Sequence, residues 1–351
     1  MSLVARWRTA AIVLATLLVI ACLLLLPACC CVRAPRSSSS APAMTIPPIA
    51  TAPLVIPPAA GQSGPTEGFM RNVDFHVDET TALRIHELRG QLFDKERGKP
   101  LNFDDRRSFI LRIFEATIGL QSPSLDNLMN RYVFGYPGAP LRAMSATFVG
   151  TKLRQEGIMH KVIDIPFTMV ADVSATPQGW IRIHPTKIEI CNLNGGALMK
   201  ALGVTLEKML DLSKAHGVRA EKNDLLLDPQ VILPPPQIEG HLAEVRVEGD
   251  EMAMHFTSTT VPAALPLPEP DAPNTMYFRH GTLRIGKLLM VDADMQVIDT
   301  DPSDPFDFFI DRYNEQLVAG HSENRLDYGL NAYMRDFNDL GKPLKPGERA
   351  K

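Results

Sequence analysis

The sequence predicts an α+β fold in which a long antiparallel sheet packs on helices, after an N-terminal membrane segment and a Pro/Ser-rich linker. Three observations predict this class. Long stretches after Gly68 alternate apolar and polar residues, two stretches have helical spacing, and strands and helices do not alternate as in a doubly wound sheet. The 351 residues, 45% of them hydrophobic and 22% charged, suffice for one large domain or two small ones after the N-terminal region.

The N-terminus predicts membrane insertion. From Thr9 to Val32, 24 consecutive residues carry no charge and are rich in Leu, Ile, Val and Ala, which is long enough to cross a bilayer. We interpret residues 1–32 as a signal anchor or a lipoprotein signal, because the tetrapeptide Leu-Pro-Ala-Cys ending at Cys29 is similar to a lipidation box. A simple cleaved signal is the third possibility. All three export the rest of the chain, so we expect a membrane-anchored protein of the bacterial cell envelope, with its folded domain outside the cytoplasm.

Residues 33–67 are predicted to be a disordered tether. They contain eight Pro and a run of four Ser but few large side chains, so they cannot bury enough apolar area to offset the entropy of ordering. Four of the 36 basic side chains and none of the 40 acidic ones precede Glu67, so the folded part is acidic. Nucleic-acid binding is therefore disfavoured, because phosphate neutralisation needs a cationic surface.

Residues 68–260 are predicted to form the main α+β domain, and its first half is mostly strands. One helix interrupts them: Ser122–Phe134 has a capping serine, an early Pro123 and apolar residues at helical spacing. The strands predicted on either side of it are Arg71–Val77, Ala82–Arg89, Ser108–Ile118, Leu141–Val149, Gly157–Val173 and Trp180–Ile190.

A second helical region begins near Gly195. Leu198, Leu202, Leu206 and Met209 form an apolar stripe, and Thr205 could cap a short helix after the break at Gly203. Short strands finish the domain, at Leu225–Leu227, Val231–Leu233, Leu242–Val247 and Met252–Phe256.

The stretch from Trp180 to Phe256 resembles bacterial members of the tubular lipid-binding (TULIP-like) proteins. It is carried by the broken helix GALMKALGVTLEKMLDL and by LLLDPQVILPPPQIEGHLAEVRVEGDEMAMHF, and it extends over about residues 70–260. The resemblance implies an exported domain with a curled sheet wrapped on a long helix, and an apolar groove for lipid. Fold analogy does not by itself identify a ligand.

Residues 261–273 are predicted to be a stiff connector, because five of the 13 are Pro. Residues 274–351 should then form a hairpin and a helical tail. Two strands are predicted here, Tyr277–Ile285 and Lys287–Val297, which extend the same sheet or form an accessory hairpin. The tail is expected to be a helix that docks its aromatic residues onto the body, with Phe306, Phe308, Phe309, Tyr313 and Leu317.

No motif of nucleotide binding, zinc binding or nucleophilic catalysis occurs in the folded part, so we expect a protein that is not an enzyme and has no cofactor. Cys191 is the only cysteine there, which excludes a disulfide within the domain. Asp299, Asp301 and Asp304 are weak calcium candidates, because they lack the glycine and the final acid of an EF-hand. Ordinary turn and capping roles are the simpler explanation, and no metal site is predicted.

We hypothesise that the domain binds a lipid or another amphipathic molecule in an apolar groove. The alternatives are an envelope scaffold with a closed core and a hydrolase with an unrecognised Asp/His site. Contact with the membrane is expected through residues 9–32. The candidate groove residues come from the long strands and the second helical stripe: Phe109, Leu111, Ile113, Phe148, Phe167, Met169, Leu198, Leu202, Leu206 and Met209.

Overall fold

The computed structural model describes residues 64–96, 99–160, 163–190, 193–195, 205–345 and 347–348, which belong to one compact unit. The predicted membrane segment, the lipidation candidate Cys29 and most of the tether lie outside these residues. None of the helices in the described part of the chain has the length and apolar character needed to cross a bilayer.

Strands dominate the fold. In chain order they are β1 (Thr66–Asp78), β2 (Thr81–Asp94), β3 (Leu101–Asn102), β4 (Phe109–Gln121), β5 (Leu141–Val149), β6 (Lys152–His160), β7 (Asp164–Ala175), β8 (Ile181–Ile190), β9 (Leu193–Asn194), β10 (Val218–Glu221), β11 (Asp224–Leu227), β12 (Gln237–Glu239), β13 (His241–Glu248), β14 (Glu251–Thr257), β15 (Thr275–Arg279), β16 (Thr282–Ile285), β17 (Leu288–Val291), β18 (Asp294–Asp299), β19 (Phe306–Phe309), β20 (His321–Asn324) and β21 (Leu330–Met334).

The described helices are few and short. They are α1 (Ser122–Asn127), which continues as a π-helical turn (Leu128–Val133), α2 (Leu206–Met209), α3 (Pro229–Ile232), α4 (Tyr313–Ala319) and a 3₁₀ turn (Phe337–Asp339). The expected mixture of sheet and helix is therefore present, with the sheet much the larger part.

The first sheet has 11 strands in the order β13-β14-β4-β2-β1-β15-β18-β21-β20, with β12 beside β4 and β19 beside β1. The apolar residues of its long strands face inward at every second position, which is why alternation located them. Most pairs of this sheet are antiparallel, as expected, but β19, β12 and β21 pair in parallel with β1, β4 and β18. Each of these strands reaches its partner after a long connection, which allows either direction.

The second sheet has seven strands, in the order β10-β11-β8-β7-β6-β5 with β9 beside β8, and its pairs are antiparallel. The helix α1 contacts β5 of this sheet and β2 and β4 of the first. Its residues Leu125, Leu128 and Met129 are buried, and one continuous hydrophobic core contains them together with residues from both sheets. The α1 segment therefore joins the two sheets.

Two predicted strands of the main domain are wrong. The stretch from Gly157 to Val173 is a hairpin of β6 and β7, because alternation continues through a reversal and does not reveal it. The predicted strand Val231–Leu233 lies mostly in the helix α3. The Asp228 carboxylate caps α3 by accepting a 3.0 Å hydrogen bond from the backbone N–H of Gln230, and Pro229 occupies the first turn.

The region after the Pro-rich connector completes the first sheet, since β15 and β19 both pair with β1. Both predicted arrangements of the hairpin occur. β15 and β18 extend the sheet, while β16 and β17 form a separate three-stranded sheet with β3. The expected aromatic helix is only partly correct, because Phe306, Phe308 and Phe309 lie on β19 and only Tyr313 and Leu317 lie on α4.

Candidate functional site

An apolar groove runs along one face of the second sheet and is bounded by α2. We define the apolar groove by its 12 lining residues, of which 11 are apolar. They are Leu141, Met144, Gln155, Met159, Phe167, Met169, Ile188, Ile190, Leu206, Met209, Leu210 and Leu225. Phe167, Ile188, Ile190, Leu206 and Met209 are only half-buried, so the groove is open to solvent along this rim.

The register of the strands explains why these side chains meet. Gln155 on β6 lies opposite Met169 on β7, and Met169 lies opposite Ile188 on β8, so the three side chains share one face. The next residue on that face is Gly157. A Cβ atom at Gly157 would lie 2.8 Å from Met144 Sδ and 3.0 Å from Phe167 Cε1, so only glycine leaves room for these two side chains.

Gln155 is the single polar residue of the apolar groove. Its side chain is buried, with a relative exposure of 1%, and its Nε2 atom has no hydrogen-bond partner among the described residues. A buried donor left without an acceptor costs about 1–3 kcal/mol. A buried polar group of this kind calls for an explanation, and a bound molecule that supplies the missing acceptor is one.

The free space in the apolar groove is small. The cavity measures about 50 Å³, against roughly 300–1,000 Å³ for pockets that enclose drug-sized ligands. A ligand that places most of its volume inside this cavity would not fit. A slender apolar chain lying along the open rim is compatible with this geometry.

No family model, curated protein or solved structure matches the chain. The case for a ligand therefore depends on the chemistry of the groove itself.

The structure separates the predicted groove residues into two places. Phe167, Met169, Leu206 and Met209 line the apolar groove. The three predicted residues of β4 instead line a second cavity, which lies against the first sheet and which we call the closed cavity. It also measures about 50 Å³, and its walls include Phe109, Leu111, Ile113, Leu233, Pro234, Pro236 and Ile238.

The closed cavity is part of the core. Its lining residues are buried apart from the half-buried Leu233, so Phe109, Leu111 and Ile113 serve packing in this structure. Phe148 is half-buried and packs against the same hydrophobic core without lining either cavity. Leu198 and Leu202 lie outside the described residues.

The predicted calcium candidates lie near each other, but with partners the sequence did not indicate. One carboxylate oxygen from each of Asp301, Asp304 and Asp336 lies within 4.8 Å of the other two. Asp299 is turned towards Asn274, whose Nδ2 donates a 2.9 Å hydrogen bond to Asp299 Oδ2. Asp336 follows β21, a strand paired in parallel with β18, which ends at Asp299. This pairing brings together acids that are distant in sequence.

The ammonium of Lys345 lies among these carboxylates. Its Nζ atom is 2.7 Å from Asp301 Oδ2 and 2.6 Å from Asp339 Oδ2, with Asp304 Oδ2 at 3.3 Å and Asp336 Oδ2 at 3.8 Å. We call the four acids, Asp301, Asp304, Asp336 and Asp339, the aspartate cluster. Hydrogen bonds to Asp301 and Asp339 raise the pKa of Lys345 above its ordinary value, so it is an ammonium at neutral pH.

Burial dominates the titration of the acids beneath this lysine. Burial and the charge of Asp336 raise the pKa of Asp299 to about 8. Burial likewise raises the pKa of Asp336 to about 7, although a hydrogen bond from the Asp307 backbone opposes it. Burial would raise the pKa of Asp301 too, but hydrogen bonds from Lys345 and Ser303 outweigh it and hold the pKa at about 2. At neutral pH Asp301 is therefore a carboxylate, whereas burial favours the protonated forms of Asp299 and Asp336.

A polar pair on the first sheet is one place for the Asp/Glu and His chemistry of the hydrolase hypothesis. His86 Nε2 lies 2.5 Å from Oε1 of the buried Glu251, whose Oε2 has no hydrogen-bond partner in the part of the chain that the structure describes. Nearby, Thr117 Oγ1 lies 3.1 Å from His255 Nδ1. The hypothesis stays a prediction. It would fail if a screen of ester and glycoside substrates gave equal rates for the protein and for His86→Gln.

Proposed function

We propose that the folded domain binds a lipid or a similar amphipathic molecule in the apolar groove and does not alter it chemically. The observation that carries the proposal is the buried, unpartnered amide of Gln155 in an otherwise apolar lining. Packing alone would be served as well by a methionine or leucine at this position. A ligand with an apolar chain and an oxygen acceptor would satisfy both parts of the site.

The chemistry of the groove narrows the ligand class. An amide N–H₂ donates hydrogen bonds, so the matching ligand atom is an acceptor such as an ester or carboxyl oxygen. The surrounding Met144, Met159 and Met169 side chains are unbranched and adapt to irregular apolar shapes. One acyl chain with its carbonyl oxygen near Gln155 Nε2 is the arrangement that we propose.

The small cavity implies that the rim moves when a chain binds. The four residues of α2 include Leu206 and Met209, and among the described residues its N-terminal contacts are with the β10–β11 turn, where Asn223 Oδ1 accepts a 3.2 Å hydrogen bond from the Leu206 backbone N–H. Its first turn is held to the β10–β11 turn, where Glu207 N–H donates to the Lys222 carbonyl at 3.0 Å. A small outward shift of α2 would widen the groove.

The cellular setting is part of the proposal. The apolar run from Thr9 to Val32 would anchor the chain in a bacterial envelope membrane, as a signal anchor or through lipid on Cys29, and residues 33–67 would give the domain reach. This anchored groove is consistent with the TULIP-like resemblance. A reporter that folds only outside the cytoplasm, fused after Lys351, should be active, and an inactive reporter with normal expression would contradict export.

The scaffold alternative also has a specific observation in its favour. The closed cavity is lined almost entirely by buried residues, so the first sheet is packed as an ordinary core. If the apolar groove closes in solution as well, the domain would act through its surface. A folded protein that carries no lipid and takes up no acyl probe would favour this alternative.

The direct test is obstruction of the groove. Leu206→Trp adds bulk at the half-buried rim, and Leu326→Trp is the matched control because Leu326 is fully exposed and does not line the groove. Full-length protein would be purified from its own membrane, and bound lipid would be quantified by native mass spectrometry. We expect lipid with the wild type and Leu326→Trp, and at least about tenfold less with Leu206→Trp at an unchanged thermal midpoint. Equal lipid in both variants would contradict the proposed site.

A second variant tests the polar contact. Gln155→Met keeps the volume and removes the unpaired amide, so the lipid-free variant should be as stable as the wild type or more stable, by up to about 1–3 kcal/mol in urea unfolding. Displacement of a fluorescent fatty acid should show weaker binding by about tenfold. Unchanged affinity would show that Gln155 does not contact the ligand. A large loss of stability would show that its amide has a structural partner.

A further inference from the structure

We infer that the aspartate cluster is a calcium site in which the Lys345 ammonium holds the place of the ion, and that calcium displaces this lysine. The inference is independent of the apolar groove. It rests on the convergence of four carboxylates on one point, on a buried oxygen of Asp336 that accepts no hydrogen bond from the described residues, and on the position of Lys345 in the chain.

Four carboxylate oxygens converge on the Lys345 ammonium. The Oδ2 atoms of the aspartate cluster surround Nζ at distances between 2.6 and 3.8 Å. Calcium takes six to eight oxygen ligands at about 2.3–2.6 Å in a flexible geometry. Inward movements of about 1 Å or less would bring the oxygens of Asp301, Asp304 and Asp339 to such distances. The Asp336 oxygen would move by about 1.2–1.5 Å, and waters would complete the shell.

A single ammonium does not satisfy this arrangement. Asp336 is 4% exposed, and its Oδ1 accepts a 2.7 Å hydrogen bond from the Asp307 backbone. Its Oδ2 accepts none from the described residues, and the Lys345 ammonium lies 3.8 Å from it. A buried carboxylate oxygen without a donor is unfavourable. An ion with two positive charges and no fixed donor directions would contact all four oxygens at once, which the ammonium does not do.

The structure around the cluster is held by groups that do not need Lys345. Asn274 Nδ2 donates a 3.0 Å hydrogen bond to the Asp301 carbonyl and a further one to the Asp304 carbonyl. The Asp301 carboxylate also accepts a 2.6 Å hydrogen bond from Ser303 Oγ. The ligand-bearing segment is therefore positioned before any cation binds, which lowers the cost of ordering it.

Lys345 is placed so that it can leave. It lies after the 3₁₀ turn Phe337–Asp339, in a segment outside the described helices and strands, and its side chain is 34% exposed. The backbone N–H of Lys345 donates a 2.8 Å hydrogen bond to Glu348, which also pairs with Arg335. The segment would thus stay attached near Arg335 while the ammonium turns outward into water.

Calcium fits this donor set better than the other common divalent ions. The ligands are four carboxylate oxygens and no nitrogen or sulfur, which disfavours zinc. Magnesium requires near-ideal octahedral geometry at about 2.0–2.1 Å, and oxygens spread over 2.6–3.8 Å do not provide it. Because an internal ammonium competes, we expect affinity in the range of about 10⁻⁴–10⁻³ M that is usual for extracellular calcium modules.

The test is calcium binding to the full-length protein, with calcium chloride as titrant in isothermal calorimetry and a thermal melt in parallel. We expect weak binding by the wild type and binding at least about tenfold tighter by Lys345→Met, because the competing charge is gone. Asp304→Asn removes an exposed ligand and should weaken binding in both backgrounds. Lys152→Met is the matched control, since it removes an ammonium from an exposed ion pair of the second sheet, and should leave the affinity unchanged.

Two results would overturn the inference. One is the absence of binding heat and of a calcium-dependent melting shift at millimolar calcium in both the wild type and Lys345→Met. The other is equal affinity in the wild type and Lys345→Met, which would place the ion elsewhere. If Lys345→Met does not fold, the wild type and Asp304→Asn decide the question, because wild-type binding that Asp304→Asn does not weaken also contradicts the site.

Discussion

At the scale of single residues, Asp78 shows how one buried carboxylate fixes a turn. Its Oδ1 accepts hydrogen bonds from the backbone N–H of Thr80 at 2.9 Å and from Thr80 Oγ1 at 3.0 Å, and Tyr132 donates its hydroxyl hydrogen to Oδ2. The carboxylate thus ties the β1–β2 turn to the π-helical turn after α1. Burial alone would raise the pKa of Asp78, but the hydrogen bonds from Tyr132 and Thr80 hold the pKa below its ordinary value.

This lowered pKa predicts a pH-dependent stability. Because the folded-state pKa is below the unfolded-state value of about 3.9, the stabilising contribution is present above that value and is lost as the pH falls through the folded-state pKa. Asp78→Asn should therefore cost about 1–3 kcal/mol at pH 7 and progressively less below about pH 4. Urea unfolding at pH 7 and below about pH 4 measures this difference in the free energy of unfolding, with the exposed Asp271→Asn as control. A cost that does not change with pH would contradict the assignment.

At the scale of elements, two glycines determine how closely a strand can lie to its neighbouring strand and to the side chains that pack on it. Gly68 on β1 lies opposite Gly90 on β2, where the β2–β4 register shifts. A Cβ atom at Gly90 would lie 2.5 Å from the backbone oxygen of Arg112, whereas one at Gly68 would meet only the side-chain Cδ1 of Leu92 at 2.8 Å. A backbone atom of a central strand is much harder to move than the end of a leucine side chain.

The two glycines should therefore respond differently to the same change. Gly90→Ala is expected to destabilise the protein by about 1–3 kcal/mol, because β4 must shift to relieve the contact. Gly68→Ala should cost clearly less, because Leu92 can change rotamer. Urea unfolding of the two variants at pH 7 provides the comparison. Equal losses would show that the register shift in β2 absorbs the extra methyl group.

At the scale of the whole molecule, β1 depends on strands from the far end of the chain. Its first half pairs with β15 and its second half with β19, and the buried Met276, Phe278 and Phe306 belong to these partners. Residues 274–351 thus supply part of the core of the first sheet. The predicted division after residue 260 crosses a continuous sheet.

A chain that ends at Thr260 is therefore expected not to fold cooperatively. It would leave the long apolar strand β1 as an unpaired edge, which favours aggregation. Removal of residues 1–32 is the control and should yield a soluble protein with a cooperative melt. Circular dichroism melts and limited proteolysis compare the two forms. A sharp melt of the chain ending at Thr260 would show that residues 68–260 fold alone.

Part of this architecture was predictable from the sequence because it depends on local chemistry. The long strands β1, β2 and β4 bury every second residue over most of their length, and the Ser122–Phe134 segment combines Pro123 with helical spacing. Such patterns identify which face of an element is buried. Two further local signals match the structure. The Asp-Pro pair at Asp228 marks the start of α3, and Gln155 is a polar residue at an inward position of β6.

Only the tertiary structure decided which buried faces meet. The alternation of apolar and polar residues predicts that Phe109 and Phe167 both face inward. Their strands belong to different sheets, so Phe109 lines the closed cavity and Phe167 lines the apolar groove. The parallel pairing of β18 with β21 brings Asp336 close to Asp301, and the C-terminal tail places Lys345 beside both. The physical reason is that side-chain periodicity is a property of one strand, whereas pairing depends on the free energy of burying whole faces against each other.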